Sequence, residues 1–382
     1  MGFFYRRKIT IDNTQLTADV TDFALLFKGT YSWLKTVANG GRLLNGSDLG
    51  FFSDASLQTL LKFQDVKHDI TTGDTRRWVR IPSASASTPT SFYIGYCNPA
   101  ITTTQQDVPN TWPNMAIGYG FGDSTFLSGT DDSGNGRTMN NGGGVTATPG
   151  IVHGGGAFGA SNGFMESAAA FVMNSTPNVV TLLSWVKLPA GDRTARQTIF
   201  STTKWNTSGD WSIEIGNGTI TKNGFNVIVP GTFVFGSGEI WPTDGNYHFV
   251  GFKRNGTGNT AKFYVDGTEY AVLTYNAAAF GDSGDAKCIG VRTPPSTQLW
   301  PGSIDELRVF TVTKPAEWIK AHAQTVISSN MYSVGDEEEV APRRSFAMPQ
   351  AVHRAAFWSP RPLFGWTRSR ENGLWLPKTV LA

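Results

Sequence analysis

Between residues 245 and 270 the chain alternates apolar and polar positions in two short runs. From 247 to 254, Tyr247, Phe249 and Gly251 fall on one side and His248, Val250 and Phe252 on the other, the period of two that a strand imposes. Asn255-Gly-Thr-Gly-Asn259 interrupts the pattern. Ala261, Phe263 and Val265 then alternate with Lys262 and Tyr264, and Asp266-Gly267 ends the run with a pair suited to the positive φ angles of a tight turn. A β-hairpin is predicted. The same period marks Tyr5–Ile11, and further strand-like runs at 23–27, 48–54, 60–63, 77–81 and 91–96 follow, punctuated by turn residues. These predict an antiparallel sandwich over residues 1–100.

Residues 101–113, rich in Thr, Gln and Pro, lose the pattern and are expected to form a linker. A second sandwich is predicted over 114–330, with strands at 116–121, 154–158, 164–166, 179–187, 198–201, 211–215, 225–229, 286–291 and 303–310 around the hairpin. One helix is predicted over 316–326, with Pro315 at its first turn and Glu317 near the positive end of its dipole. Beyond it, 331–382 is expected to comprise an acidic, solvated linker carrying Asp336-Glu-Glu-Glu339 and then an arm rich in Trp and Arg. The fold class is all-β: two tandem antiparallel sandwiches plus an irregular C-terminal arm.

Composition fits that class and removes others. Among 382 residues, 16% are charged, 12% aromatic and 43 are glycines, a balance that suits sandwiches with long polar loops. A net charge of +2 argues against a general nucleic-acid role. The two cysteines, Cys97 and Cys288, fall in different predicted domains and imply no disulfide framework. No apolar run long enough for a transmembrane helix or an export signal is expected.

Three stretches carry a family resemblance. The hairpin, Val180-Thr-Leu-Leu-Ser-Trp-Val-Lys187 and Gly302-Ser-Ile-Asp-Glu-Leu-Arg-Val-Phe310 together resemble laminin-G-like, concanavalin-A-like jelly-roll modules, and Asp131-Asp-Ser-Gly-Asn-Gly136 resembles a loop of the same modules. Tyr5-Arg-Arg-Lys-Ile-Thr-Ile11, the 46–54 element, Trp78-Val-Arg-Ile-Pro82 and Phe92-Tyr-Ile-Gly-Tyr-Cys-Asn-Pro99 resemble a bacterial and phage domain of unknown function that commonly precedes such modules. The resemblance implies a jelly roll over about 114–330 and a tailed-phage virion setting.

Candidate chemistry is sparse. Glycoside hydrolysis on this type of fold needs two carboxylates on one face. The sequence offers only a lone Glu214 and the adjacent Asp305-Glu306, so a non-enzymatic protein is expected. Sugar stacking would use aromatic faces with polar neighbours, which singles out Trp205, Trp211, Trp241 and Trp300 with Asn206, Asp210 and Arg292. Calcium is the cofactor to weigh: Asp131, Asp132, Asn135 and Asp305 could supply oxygen ligands, or could instead stabilise turns. In the arm, Phe357, Trp358, Phe364, Trp366, Arg368, Arg370 and Trp375 are the residue types that anchor interfaces, and docking on other virion subunits is expected of them.

The resulting expectation is a tail-associated virion protein, assembled in the host cytoplasm and homo-oligomeric, whose jelly roll binds a host-surface glycan or protein receptor. Neither nucleic acid nor membrane insertion is expected. A capsid decoration or cement protein and a glycan depolymerase are the alternatives.

Overall fold

The computed structural model describes residues 2–159, 162–173, 178–202, 210–217, 221–229, 232–256, 261–272, 274–275, 282, 284–292, 294, 298–340, 365–368 and 375–378. Residues 1–341 form one compact unit and 342–382 a second. In the second, Gly365–Arg368 pairs antiparallel with Trp375–Lys378, so a two-stranded ladder lies within the arm expected to be irregular.

The first sandwich packs a four-stranded sheet, in the order Tyr332–Glu339, Tyr5–Ile11, Thr90–Tyr96, Leu49–Phe52, on a three-stranded one, Val20–Thr30, Asp74–Ala84, Phe63–His68. Alternation places Ile9 and Ile11 inward, where they meet Phe23, Leu25, Phe27, Phe51 and Ile94 in a common core. The acidic run is not a linker. Tyr332–Glu339 returns to this sandwich as an edge strand, in register Arg6 opposite Glu338 and Arg7 opposite Glu337. The charges explain the pairing: Arg6 reaches Glu338 at 2.6 Å, and Arg42 reaches Glu337 at 2.9 Å. Glu337 also accepts a hydrogen bond from the Tyr96 hydroxyl at 2.9 Å. A charged edge also discourages pairing with other chains.

The jelly roll packs two eight-stranded antiparallel sheets. Its outer sheet centres on Tyr247–Asn255, Val179–Lys187 and Ser303–Phe310, and its inner sheet on Thr221–Val229, Ser212–Asn217 and Gln197–Ser201. The predicted hairpin is present: Lys262–Val265 pairs with Tyr247–Asn255, and Asp266 and Gly267 turn with φ of 49° and 80°. Gly154–Ala157 is a strand, as expected at 154–158. Bareness is what admits it, since a Cβ on Gly154 would lie 2.4 Å from the Asp123 backbone.

The helix Ala316–Ile327 joins the two sandwiches. Trp318 and Ile319 belong to one continuous core that runs from Phe23 and Leu25 of the first sandwich to Leu183, Trp185 and Phe249 of the jelly roll. Trp318 Nε1 donates to the Asp22 carbonyl at 2.9 Å, and bare Gly251 lets the Ile319 side chain come close to the outer sheet. Among the described residues no helix is long and apolar enough to cross a membrane.

A buried polar cluster lies at the same joint. Ser303–Phe310 bulges at Glu306, which has φ of 52°, and this brings the Glu306 carboxylate against the Arg308 guanidinium, both fully buried. Trp78 of the first sandwich donates its indole N–H to Glu306 at 3.1 Å. Trp112, from the 101–113 segment, lies 4.0 Å from Arg308 and donates to Gln64 at 2.7 Å. His322 stacks on Trp78 and Trp318, and burial together with Arg308 pushes its pKa down to about 3, so it packs as a neutral ring.

Candidate functional site

The strand Ser212–Asn217 reads Ser-Ile-Glu-Ile, and its alternation decides the site. Ile213 and Ile215 enter the core, which turns Ser212 and Glu214 to the opposite face of the inner sheet. Register sets Thr198 and Asn226 on either side of Glu214. Glu214 Oε1 accepts from Ser212 Oγ at 2.8 Å and Thr198 Oγ1 at 3.4 Å, and lies 3.7 Å from Arg292 Nη1. Its Oε2 is buried and has no hydrogen-bond partner. Asn226 Nδ2 donates to the Gly216 and Gly224 carbonyls at 3.3 and 3.0 Å, which fixes the amide and leaves its buried Oδ1 without a donor.

Two acceptor oxygens on directly paired residues therefore lack donors, an arrangement that costs free energy unless something supplies O–H or N–H groups. Burial raises the pKa of Glu214 although Arg292 and Arg196 oppose the rise. The charges that weigh most on it are those two arginines.

Most of the expected ligand-binding residues lie elsewhere. Trp211, Trp241 and Trp300 are core residues, exposed by 2%, 5% and 0%, so no sugar can stack on them. Trp211 packs on Phe200, and Trp300 donates to the Ser303 carbonyl at 3.3 Å. Arg292 comes to the polar face, and Asp210, buried just before the Glu214 strand, alternates with core Trp211 as Ser212 and Glu214 do with Ile213 and Ile215. Trp205 and Asn206 lie outside the described residues, as do Phe357, Trp358, Phe364 and Arg370. Trp366 and Arg368 lie on one strand of the arm's ladder and Trp375 on the other, with Arg368 opposite Trp375.

The expected calcium ligands do not converge. Asp131 Oδ1 accepts from the Gly118 and Ser133 amides at 3.1 and 3.0 Å, and its Oδ2 from the Ser133 hydroxyl and the Arg137 amide. Donors surround it, as in a stapled turn. Asn135 donates to the Ala116 carbonyl at 3.0 Å. Burial pushes Asp132 up to about 6, and Asp305 accepts from the Val152 amide at 3.0 Å while burial and Glu306 raise its pKa. Among the described residues no group of three or more His, Cys, Asp or Glu is placed to hold a metal. An oxygen cage does exist nearby, but a lysine fills it: buried Lys287 Nζ donates to Asp282 Oδ1 and the Asp285 carbonyl, both at 2.6 Å, and to the Thr202 carbonyl at 3.2 Å.

The two packed eight-stranded sheets define a concanavalin-A-like jelly roll, here preceded by a smaller sandwich. Residues 160–320 match the concanavalin A-like lectin/glucanases superfamily, and residues 45–125 match a domain of unknown function (DUF2341). Domain 4 of AbnA, a GH43 extracellular arabinanase from Geobacillus stearothermophilus in complex with arabinotriose, is similar at 18% identity and a TM-score of 0.42, over 55% of this chain and 98% of that one. The binding domain of Paraclostridial Mosquitocidal Protein 1 is 12% identical with a TM-score of 0.44, over 59% of this chain and 54% of that one. The botulinum neurotoxin serotype C1 binding domain is 15% identical with the same TM-score of 0.44, again over 59% and 54%. This chain thus spans about half the length of the two toxin domains. No curated protein matches the chain.

At the edge of the hairpin, His248 is held between two carboxylates, Nδ1 at 2.7 Å from Asp266 and Nε2 at 2.8 Å from Asp244, with Trp241 edge-on at 5.4 Å. Burial pulls the imidazole pKa down, but the bonds to Asp266 and Asp244 outweigh it and the pKa is raised above 6.5. His248 holds Asp244 well below its ordinary 3.8. The imidazolium therefore contributes stability fully below 6.5, and the contribution fades as pH rises through the higher folded-state value. The Asp244 share is present above 3.8 and fades as pH falls below that. Urea unfolding of the whole chain is expected to show a midpoint that declines from about pH 6 to about pH 8, and His248→Gln is expected to flatten that decline.

Proposed function

We propose that the chain is a carbohydrate- or receptor-binding protein whose jelly roll takes a hydroxyl-rich ligand at the polar face around Glu214. One observation carries this reading: the paired, buried acceptors Glu214 Oε2 and Asn226 Oδ1, which lack donors of their own. A ligand that opens this face, where Glu214 and Asn226 are 0% and 1% exposed, would bring hydroxyls to those acceptors, and Thr198, Ser212 and Arg292 beside them offer complementary groups. The match to a superfamily described as lectins and glucanases supports the same class of ligand.

Binding without cleavage is the better reading. A glycosidase sets two carboxyl groups about 5 to 9.5 Å apart, whereas the charges that weigh most on Glu214 are those of Arg292 and Arg196. Glu214→Leu is expected to weaken binding on a multivalent oligosaccharide array by at least about tenfold, because a hydrogen bond to a carboxylate contributes about 1.5–3 kcal/mol. The melting temperature is expected to fall, because Arg292, Ser212 and Thr198 lose a carboxylate partner, so circular dichroism accompanies the array to show that the variant is folded. Undiminished binding, or new reducing ends released from the arrayed glycans by the unaltered protein, would overturn this function.

The setting we infer is a tailed-phage particle, with the chain as a tail-associated subunit repeated in symmetry. Weak single sites then add through multivalency. What supports this is the resemblance of the 3–100 segment to a bacterial and phage domain and the Trp and Arg anchors of 342–382, the residue types that dominate interfaces. A chain ending at Val340 is expected to fold and to be missing from purified tails; its normal incorporation would remove the docking role, and its loss from heads instead would favour a decoration protein.

A further inference from the structure

We propose that the first sandwich carries a second binding site, one that takes the carboxylate of a small acidic sugar, a uronate or a sialate. A cavity of about 340 Å³ opens where Tyr5–Ile11, the short turns at Ser32–Leu34 and Val37–Asn39, and the return strand Tyr332–Glu339 meet. That volume lies at the lower end of ligand pockets, room for one or two pyranose rings. Its chemistry comes from Arg7, Arg42, Glu337, Trp33 and Ser32.

Two guanidinium groups face one carboxylate, so the wall has one surplus positive charge. Glu337 is already committed: it holds Arg42 Nη2 and Nε at 2.9 and 3.2 Å and accepts from the Tyr96 hydroxyl at 2.9 Å. Arg42 lies 5.0 Å from the Tyr5 ring, which further fixes its plane. Arg7 is the incomplete member. It lies 5.0 Å from the Trp33 ring and donates Nη1 to the Gly335 carbonyl at 2.8 Å, while Nη2 stays 4.0 Å from Glu337 and the buried Nε–H has no acceptor. The Nε/Nη2 edge is the side on which a planar carboxylate forms its two-pronged contact.

The remaining walls select the rest of the ligand. Gly41 must be bare, since a Cβ there would lie 2.1 Å from the Lys35 carbonyl oxygen, and Gly40, with φ of 81°, has open space where a side chain would stand. No side chain therefore covers the mouth at this point. Ser32 is exposed and presents a hydroxyl, and Trp33 is half-buried. A lining this polar suits a hydroxylated ligand over an apolar one. One surplus positive charge is neutralised by a monoanion, whereas a phosphate dianion would leave net negative charge beside Glu337.

This site is independent of the one around Glu214, and one experiment separates them. Binding of 3′-sialyllactose and trigalacturonate to the full chain is measured by calorimetric titration, with lactose, inorganic sulfate and a short Glu-rich peptide as comparison probes. At least one acidic sugar is expected to bind and lactose and sulfate are not; Arg7→Gln and Ser32→Trp, the second an exposed change that fills the mouth, are each expected to weaken binding by at least about tenfold. Glu214→Leu is expected to leave this affinity unchanged. Binding that survives both Arg7→Gln and Ser32→Trp, binding lost in Glu214→Leu, equal affinity for sulfate, tighter binding of the peptide, or no binding of either acidic sugar would each overturn the assignment.

Discussion

The buried contact between Glu306 and Arg308 is the constraint on which the rest of the body depends. Neither group can stay ionised in the interior alone, and removing one partner of such a pair typically costs about 3–5 kcal/mol. The bulge at Glu306 sets the two side chains together, and the partners that complete them come from outside the jelly roll: Trp78 from the first sandwich and Trp112 from the segment between. The first sandwich thus supplies Glu306 with a donor and Arg308 with ring faces, although the Arg308 nitrogens find no hydrogen-bond acceptor. The helix, through Trp318 and His322, closes the same joint.

How much of this is legible in the sequence depends on the range of the interaction. The hairpin was readable because its period and its Asp266-Gly267 turn are local, and the helix because Pro315 and Glu317 mark its start. The return strand was not. Asp336-Glu-Glu-Glu339 reads as solvated charge until it is set against Arg6-Arg7-Lys8, more than three hundred residues earlier, and only the complementary charge of the two runs could have signalled it. The tryptophans failed for a related reason: position near a loop says where Trp211, Trp241 and Trp300 stand in sequence, while their burial is decided by strands that meet in space.

Glu214 was readable as a face and not as a site. An acid between two isoleucines of a strand must point away from the core, but that its Oε2 would be buried beside Asn226 Oδ1, with no donor for either, depends on the ladder between two strands. Lys287 was silent altogether; nothing in its local sequence says that its ammonium fills an oxygen cage that a cation could otherwise occupy.

The two proposed sites lie in one compact unit, an arrangement that would favour simultaneous engagement of a surface over independent encounters. Denaturant unfolding of Glu306→Leu tests the joint most directly, followed by tryptophan fluorescence and far-ultraviolet circular dichroism together. A loss of about 3–5 kcal/mol with both signals moving in one transition is the predicted result. A loss of under about 1 kcal/mol, or two separated transitions, would contradict a body built around that pair.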